Sequence, residues 1–345
     1  MIPELRILHL EMTERCNAAC PMCGRTAADG AGKPYLTNEL SAADIESWLP
    51  AETIAALHYA FMCGNHGDPI LGRDTLAVLR LFRRHSKALL LGMHTNGGAR
   101  PREWWTELAN IMGRRGKVVF SVDGLKDTNH IYRRNVRWDL LQRNFHAYIK
   151  AGGRAEWHFL VFRHNEHQIE EARALAQREG FAKFIPKKSA RFAADSGRFE
   201  PLGEDGSPIL APPRDPRWLN SEPERLIALQ DAYGGYEGWL DRTPIRCKIQ
   251  EERSLYISAR GHLWPCCWLG YGSVPGERQA VDEFLERNGG LDQLSLREHS
   301  LEQILRGPVF EAIQRGWSTN LAGGRIAVCA KMCSTELNLH GSQYN

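Results

Sequence analysis

From Arg6 to about Lys187 the chain alternates short apolar runs with amphipathic stretches, and this alternation restricts the fold more than any other feature. The apolar runs predict strands at Arg6–Met12, Leu57–Met62, Lys87–Met93, Lys117–Val122, Ala155–Phe162 and Ala182–Ile185. The stretches between them predict helices at Ser41–Leu49, Arg73–His85, Arg102–Gly113, Val136–Lys150 and Gln168–Glu179. Ser41 suits an N-cap and Pro101 a helix start. Gly116, Gly152, Gly153 and Gly180 fall where helices should end. Strand and helix in regular succession predict an α/β fold with a parallel sheet and helices outside it. Six such units suit a partial (β/α)6 TIM-like barrel, whose chemistry gathers at the C-terminal ends of the strands.

At that end of the first strand stands Glu14–Gly24, with Cys16, Cys20 and Cys23 separated by three and two residues. Three thiols at this spacing can close one short loop around one metal centre. Soft thiolates suit iron–sulfur clusters, zinc or copper(I). A structural zinc site wants four ligands, and no fourth Cys or His follows at local spacing. Three thiolates on a cubane leave one iron open to bind something else. The alternatives are a structural zinc loop or three unrelated thiols. The segment resembles the Cys-x3-Cys-x2-Cys signature of the radical S-adenosylmethionine superfamily. The resemblance implies a [4Fe–4S] cluster whose open iron chelates the amino and carboxylate groups of S-adenosylmethionine. It further implies one-electron cleavage to methionine and a 5′-deoxyadenosyl radical, which abstracts a hydrogen from the substrate.

Later residues match the same superfamily one by one. Gly64–Leu71 follows the second strand where relatives carry Gly-Gly-Glu-Pro, with His66 in place of the first Gly pair member and Asp68 in place of Glu. The resemblance implies that Asp68 accepts from the methionyl ammonium; a tight turn needing Gly67 and Pro69 is compatible with that role. Asn96, in His94–Gly98, either reaches the cofactor or caps its own turn. Ser121-Val-Asp-Gly124 with Arg133 resembles a segment of sulfatase-maturating and peptide-modifying members, which implies that Ser121 and Arg133 bind the methionyl carboxylate. Arg supplies a fixed fork of donors and Ser a directional hydroxyl. Met22 stands where the family is usually aromatic and where the backbone meets adenine.

Cys247 and Cys266 are joined through Gly261, after a strand at Ser254–Ser258. Gly261 permits the positive φ of a hairpin. This pattern resembles the opening of SPASM and twitch domains, which hold auxiliary [4Fe–4S] clusters; Cys329 and Cys333 would complete four thiolate ligands. Cys267 is an alternative to Cys266, and zinc is an alternative metal. Cys63, at an apolar strand end, reads as a small hydrophobe rather than a ligand. The organisation expected is a radical domain over 1–187, an insertion or linker over 188–245 facing the substrate, and a twitch-type cluster domain over 246–345.

Net charge is only +3, so nothing in the balance demands nucleic acid or an anionic membrane. No apolar run approaches the length of a membrane span, and no signal peptide opens the chain. Nine cysteines without a secretion signal read as metal ligands or free thiols in a cytoplasmic enzyme. The leading expectation is a radical enzyme that modifies a peptide or protein side chain, with the auxiliary cluster as electron relay. The alternative is a dehydrogenase of a sugar, aminocyclitol or other small metabolite, resembling 2-deoxy-scyllo-inosamine dehydrogenase. A non-catalytic iron–sulfur protein is a third reading, favoured by His66 and Asp68 and opposed by Ser121 and Arg133. The family also implies a flavodoxin- or ferredoxin-type electron donor.

Overall fold

The computed structural model describes residues 5–25, 37–189, 192, 210–219, 222–271 and 275–336. The chain divides into two compact units, one running chiefly over Leu8–Phe192 and the other over Ser221–Asn345.

The first unit carries the strands β1 (Ile7–Leu10), β2 (Tyr59–Met62), β3 (Leu90–Thr95), β4 (Gly116–Ser121), β5 (Ala155–Leu160) and β6 (Lys183–Lys187). Their spatial order is the order of the sequence, and β2 to β6 pair in parallel. Right-handed crossovers between successive neighbours put every helix on the same face of the sheet. The sheet then curls around its other face, which gives a partial barrel of the kind the alternation predicts rather than a doubly wound sheet.

Each predicted helix is present, at Ala42–Trp48, Thr75–His85, Arg102–Met112, Trp138–Lys150 and Ile169–Glu179. Ser41 caps the first in a reciprocal capping box with Asp44. The helices Ala51–Ala56 and Asn129–Tyr132 were not expected, because each is too short to show a periodicity. β3 runs on to Thr95 because its last residues are polar and escape an apolar pattern.

Alternation along the strands separates two environments. Phe120 of β4 and Trp157 of β5 point to the helices, where ring centroids lie 5.3 Å apart for Trp105 and Phe120 and 5.4 Å for Trp157 and Phe181. The Trp157 indole N–H donates to the Val122 carbonyl at 2.8 Å, which satisfies its one polar atom inside this layer. Residues one position away, among them Ser121 and His158, face the concave side, where they are paired across β4 and β5.

In the second unit β7 (Ser254–Ile257) and β8 (Leu263–Trp264) form an antiparallel hairpin. Gly261 turns the chain between them with φ +82°. Leu229, Trp239, Leu240 and Ala330 form a small core, drawn from the helices Glu222–Tyr233, Tyr236–Arg242 and Ala327–Cys333. The first two of these lie in the proline-rich segment 188–245. The substrate-facing reading of that segment falls largely on residues 190–191 and 193–209, which lie outside the described residues. Among the described residues no helix is long and apolar enough to cross a membrane.

Candidate cofactor site

The three-cysteine loop is held by several strand ends at once. Leu40 N–H donates to the Met12 carbonyl at 2.9 Å and Glu14 N–H to Asn38 at 2.8 Å, which close the loop on itself. Asp68 N–H reaches the Arg15 carbonyl at 2.8 Å, and Ala19 N–H reaches that of Arg134 at 3.0 Å. Glu11 accepts the N–H groups of His66 and Gly67 at 2.6 and 3.3 Å. Gly67 is required for close approach: a Cβ there would stand 1.8 Å from the Thr13 carbonyl oxygen. Met22 is buried in the turn between Cys20 and Cys23, where Cys23 N–H donates to the Cys20 carbonyl at 3.0 Å.

Donors converge on the sulfurs. Cys16 Sγ accepts from Ala18 N–H at 3.4 Å and from Asn96 Nδ2 at 3.7 Å. An Arg133 guanidinium nitrogen lies 3.8 Å from Cys20 Sγ. Burial, then the nearby Asp68 carboxylate, pushes the Cys16 thiol up to about 12. A bare thiolate is therefore disfavoured here, and a metal that takes the sulfur charge removes that penalty. Three soft donors with hydrogen-bond donors aimed at two of them fit an iron–sulfur cluster.

Of the two roles read for Asn96, the turn cap is present, and the side chain also reaches the cysteine loop. Its Oδ1 accepts Gly98 N–H at 2.7 Å, which caps the turn after β3. Its amide also exchanges bonds with Asn17 of the cysteine loop, Nδ2 to Oδ1 at 3.0 Å and the reverse at 3.2 Å. Asn17 gave no signal in sequence, since an Asn in a loop is ordinary. Asn17→Ala and Asn96→Ala are expected to be non-additive, with a coupling of about 0.5–3 kcal/mol in a urea double-mutant cycle. Additive losses would show that the two amides do not act as a unit.

Asp68 is buried and receives Thr95 Oγ1 at 2.7 Å, Asn96 N–H at 2.7 Å and Ile70 N–H at 3.2 Å. Burial raises its pKa, and these donors oppose the rise. The carboxylate thus welds the end of β3 to the turn after β2. Arg133 Nε donates to Asp123 Oδ2 at 2.6 Å. Burial alone would lower the guanidinium; Asp123, Cys20 and Tyr132 hold it well above its ordinary value. Asp123 also accepts Leu160 N–H at 2.6 Å, so it joins β4, β5 and Arg133. Its position inside the Ser121–Gly124 segment was the only sequence signal for that role. Ser121 itself stands at the end of β4 on the concave face, opposite His158.

The second unit brings Cys247, Cys266, Cys329 and Cys333 under one another's electrostatic influence. Backbone bridging sets up the first contact: Ile245 pairs with Ser334, and Arg246 N–H donates to the Cys333 carbonyl at 2.9 Å. The Cys247 thiol then donates to Cys333, which lowers Cys333 to about 7 and raises Cys247. Burial pushes Cys266 up to about 12 and raises Cys329 as well. Cys267 is buried at the start of the helix Cys267–Tyr271. Among the described residues no group of three or more His, Cys, Asp or Glu side chains is placed to hold a metal ion.

No protein-family model matches the chain, and no curated protein matches it. Solved structures do. SuiB from Streptococcus suis bound to S-adenosylmethionine superposes with TM-score 0.57 at 14% identity, over 96% of this chain and 73% of that one. The fold is that of the radical S-adenosylmethionine enzymes. SuiB bound to its precursor peptide SuiA gives TM-score 0.52 at 15% identity, over 76% of this chain and 60% of that one. Native anSMEcpe with bound AdoMet and Cp18Cys peptide gives 0.52 at 13% identity, over 98% and 92%. At these identities the likeness is one of fold.

Proposed function

We propose that this chain is a radical S-adenosylmethionine enzyme that modifies a peptide or protein side chain. The observation that carries the reading is the convergence of Asn96, just after β3, and Arg133, just after the helix Asn129–Tyr132, on the sulfurs of Cys16 and Cys20. Cys16, Cys20 and Cys23 would hold a [4Fe–4S] cluster, and Cys247, Cys266, Cys329 and Cys333 a second one. The chemistry these groups would supply is one-electron transfer: reduction of the S-adenosylmethionine sulfonium at the Cys16, Cys20 and Cys23 site, and acceptance of an electron from the oxidised side chain at the Cys247, Cys266, Cys329 and Cys333 site.

The chain's own residues bind and orient. Arg133 carries a fixed positive charge beside Cys20, and its Asp123 partner fixes the direction of the guanidinium. With Ser121 it would take the methionyl carboxylate. Asp68 would meet the ammonium while keeping the turn closed. The Met22 backbone would meet adenine. An external donor of flavodoxin or ferredoxin type would reduce the first cluster. Peptides bound to SuiB and to anSMEcpe support a peptide as substrate class.

The test is anaerobic turnover with dithionite in a perdeuterated cell extract separated by size. 5′-Deoxyadenosine should form without S-adenosylhomocysteine, and its deuterium content should follow the peptide fraction and vanish after protease treatment. Deuterium that follows a low-mass, protease-resistant fraction would move the substrate to the small-metabolite class. No 5′-deoxyadenosine at all would remove the enzymatic reading.

A further inference from the structure

The concave face of the sheet carries a group of side chains that the cofactor site does not use. His94 of β3 and His158 of β5 meet edge to face, with ring centroids 5.8 Å apart. Lys187 ends β6 opposite Leu160, two residues beyond His158 and on the same face. The facing side is fixed by alternation: Trp157 and Phe184 are the neighbours that point to the helix layer, with ring centroids 5.7 Å apart. His158 Nε2 is buried and has no hydrogen-bond partner among the described residues. A buried polar atom left so calls for a ligand or water.

The local field says which ligand. The neighbours that act on His94 are His158, Lys187, Lys117 and His9, and every one of them disfavours a positive imidazolium. Around His158, Lys187, Lys117 and Lys183 act in that direction and Glu156 opposes them. Glu156 is already engaged, by Lys117 at 3.2 Å and Arg154 at 3.4 Å, and stands 4.0 Å from His158 Nε2. Burial, followed by these charges, holds His94 at about 3 and His158 at about 4. Both rings are therefore neutral at pH 7. Such rings are weak bases but competent N–H donors, and a site with positive field and N–H donors favours an anion.

We propose that His94, His158 and Lys187 bind a substrate carboxylate on the concave face of the barrel. The assignment of that carboxylate to a peptide, as an acidic side chain or chain terminus, rests on the function proposed above; the binding of an oxyanion does not. The carboxylate oxygens would accept from His158 Nε2–H and Lys187 Nζ–H, with the His94 ring closing the side of the pocket. No bond is made or broken at this site.

The experiment is isothermal titration of the reconstituted full-length protein with glutarate and, separately, sulfate. Saturating S-adenosylmethionine is present to fill the cofactor's own carboxylate site. Glutarate should bind, and His158→Gln or Lys187→Met should each weaken it at least about tenfold, the scale of one charge-assisted hydrogen bond. Lys187→Arg should retain binding, and circular dichroism should show each variant folded. Absent glutarate binding, or binding indifferent to both substitutions, would overturn the proposal. Sulfate bound as tightly as glutarate would overturn the carboxylate assignment. S-adenosylmethionine is titrated on its own first, so failure of the enzymatic reading shows there and failure of the oxyanion pocket shows only with glutarate.

Discussion

Replacing Cys16, Cys20 and Cys23 together by Ala is expected to abolish 5′-deoxyadenosine formation while leaving about four irons per chain, the content of one cubane. The two sulfur sets lie in separate compact units, and the second is assembled by its own backbone bridge between 245–246 and 333–334. Loss of the first set therefore removes no scaffold from the second. Iron and acid-labile sulfide after anaerobic reconstitution give the count, and chromatography of the reaction gives the product. Zinc in place of iron would reduce Cys247, Cys266, Cys329 and Cys333 to a structural clamp and turn the search to redox-neutral radical chemistry. Residual 5′-deoxyadenosine would show that the radical is not generated at the first loop.

Asp123→Ala should cost about 3–5 kcal/mol of stability, because it leaves the Arg133 guanidinium buried without its counter-charge. The Asp123 side chain is 1% exposed and that of Arg133 16%, so solvent cannot take over the lost interaction. The same change orphans the Leu160 N–H. Urea unfolding gives the loss directly. The double variant Asp123→Ala/Arg133→Met should be more stable than Asp123→Ala alone, since removing both charges leaves neither uncompensated. A loss below about 1 kcal/mol in the single variant would place the pair in the class of weak surface bridges instead.

Much of this architecture is legible in the sequence. Strand and helix succession is a matter of apolar periodicity, and residues such as Val118, Phe120, Trp157 and Phe159 announce buried strands by type alone. The cysteine loop was legible because thiol spacing is itself chemistry. What was hidden depends on contacts distant in sequence. Asn17 and Asn96 are 79 residues apart, and nothing local marks them as partners. Asp123 reads as a turn residue until Arg133 and Leu160 are seen to converge on it. His94 and His158 look like the polar half of an alternating strand, which on an open sheet would face water. Only the curl of the sheet encloses them. The helix Glu222–Tyr233 was obscured by its proline-rich surroundings, and its weak amphipathic pattern offered little against them.

The partial barrel also divides labour between its two rims. The polar groups of the three-cysteine site lie at or past the strand C-termini, whereas the opposite rim is turned by Gly113, Gly152 and Gly180, with φ of +56°, +87° and +85°. A Cβ at Gly113 or Gly152 would meet nothing within 4 Å. Gly152 precedes β5, whose six residues span about 20 Å. That rim is a natural handle within the first unit: a tag or fluorophore spliced at Gly152 would sit a full strand away from the three-cysteine loop.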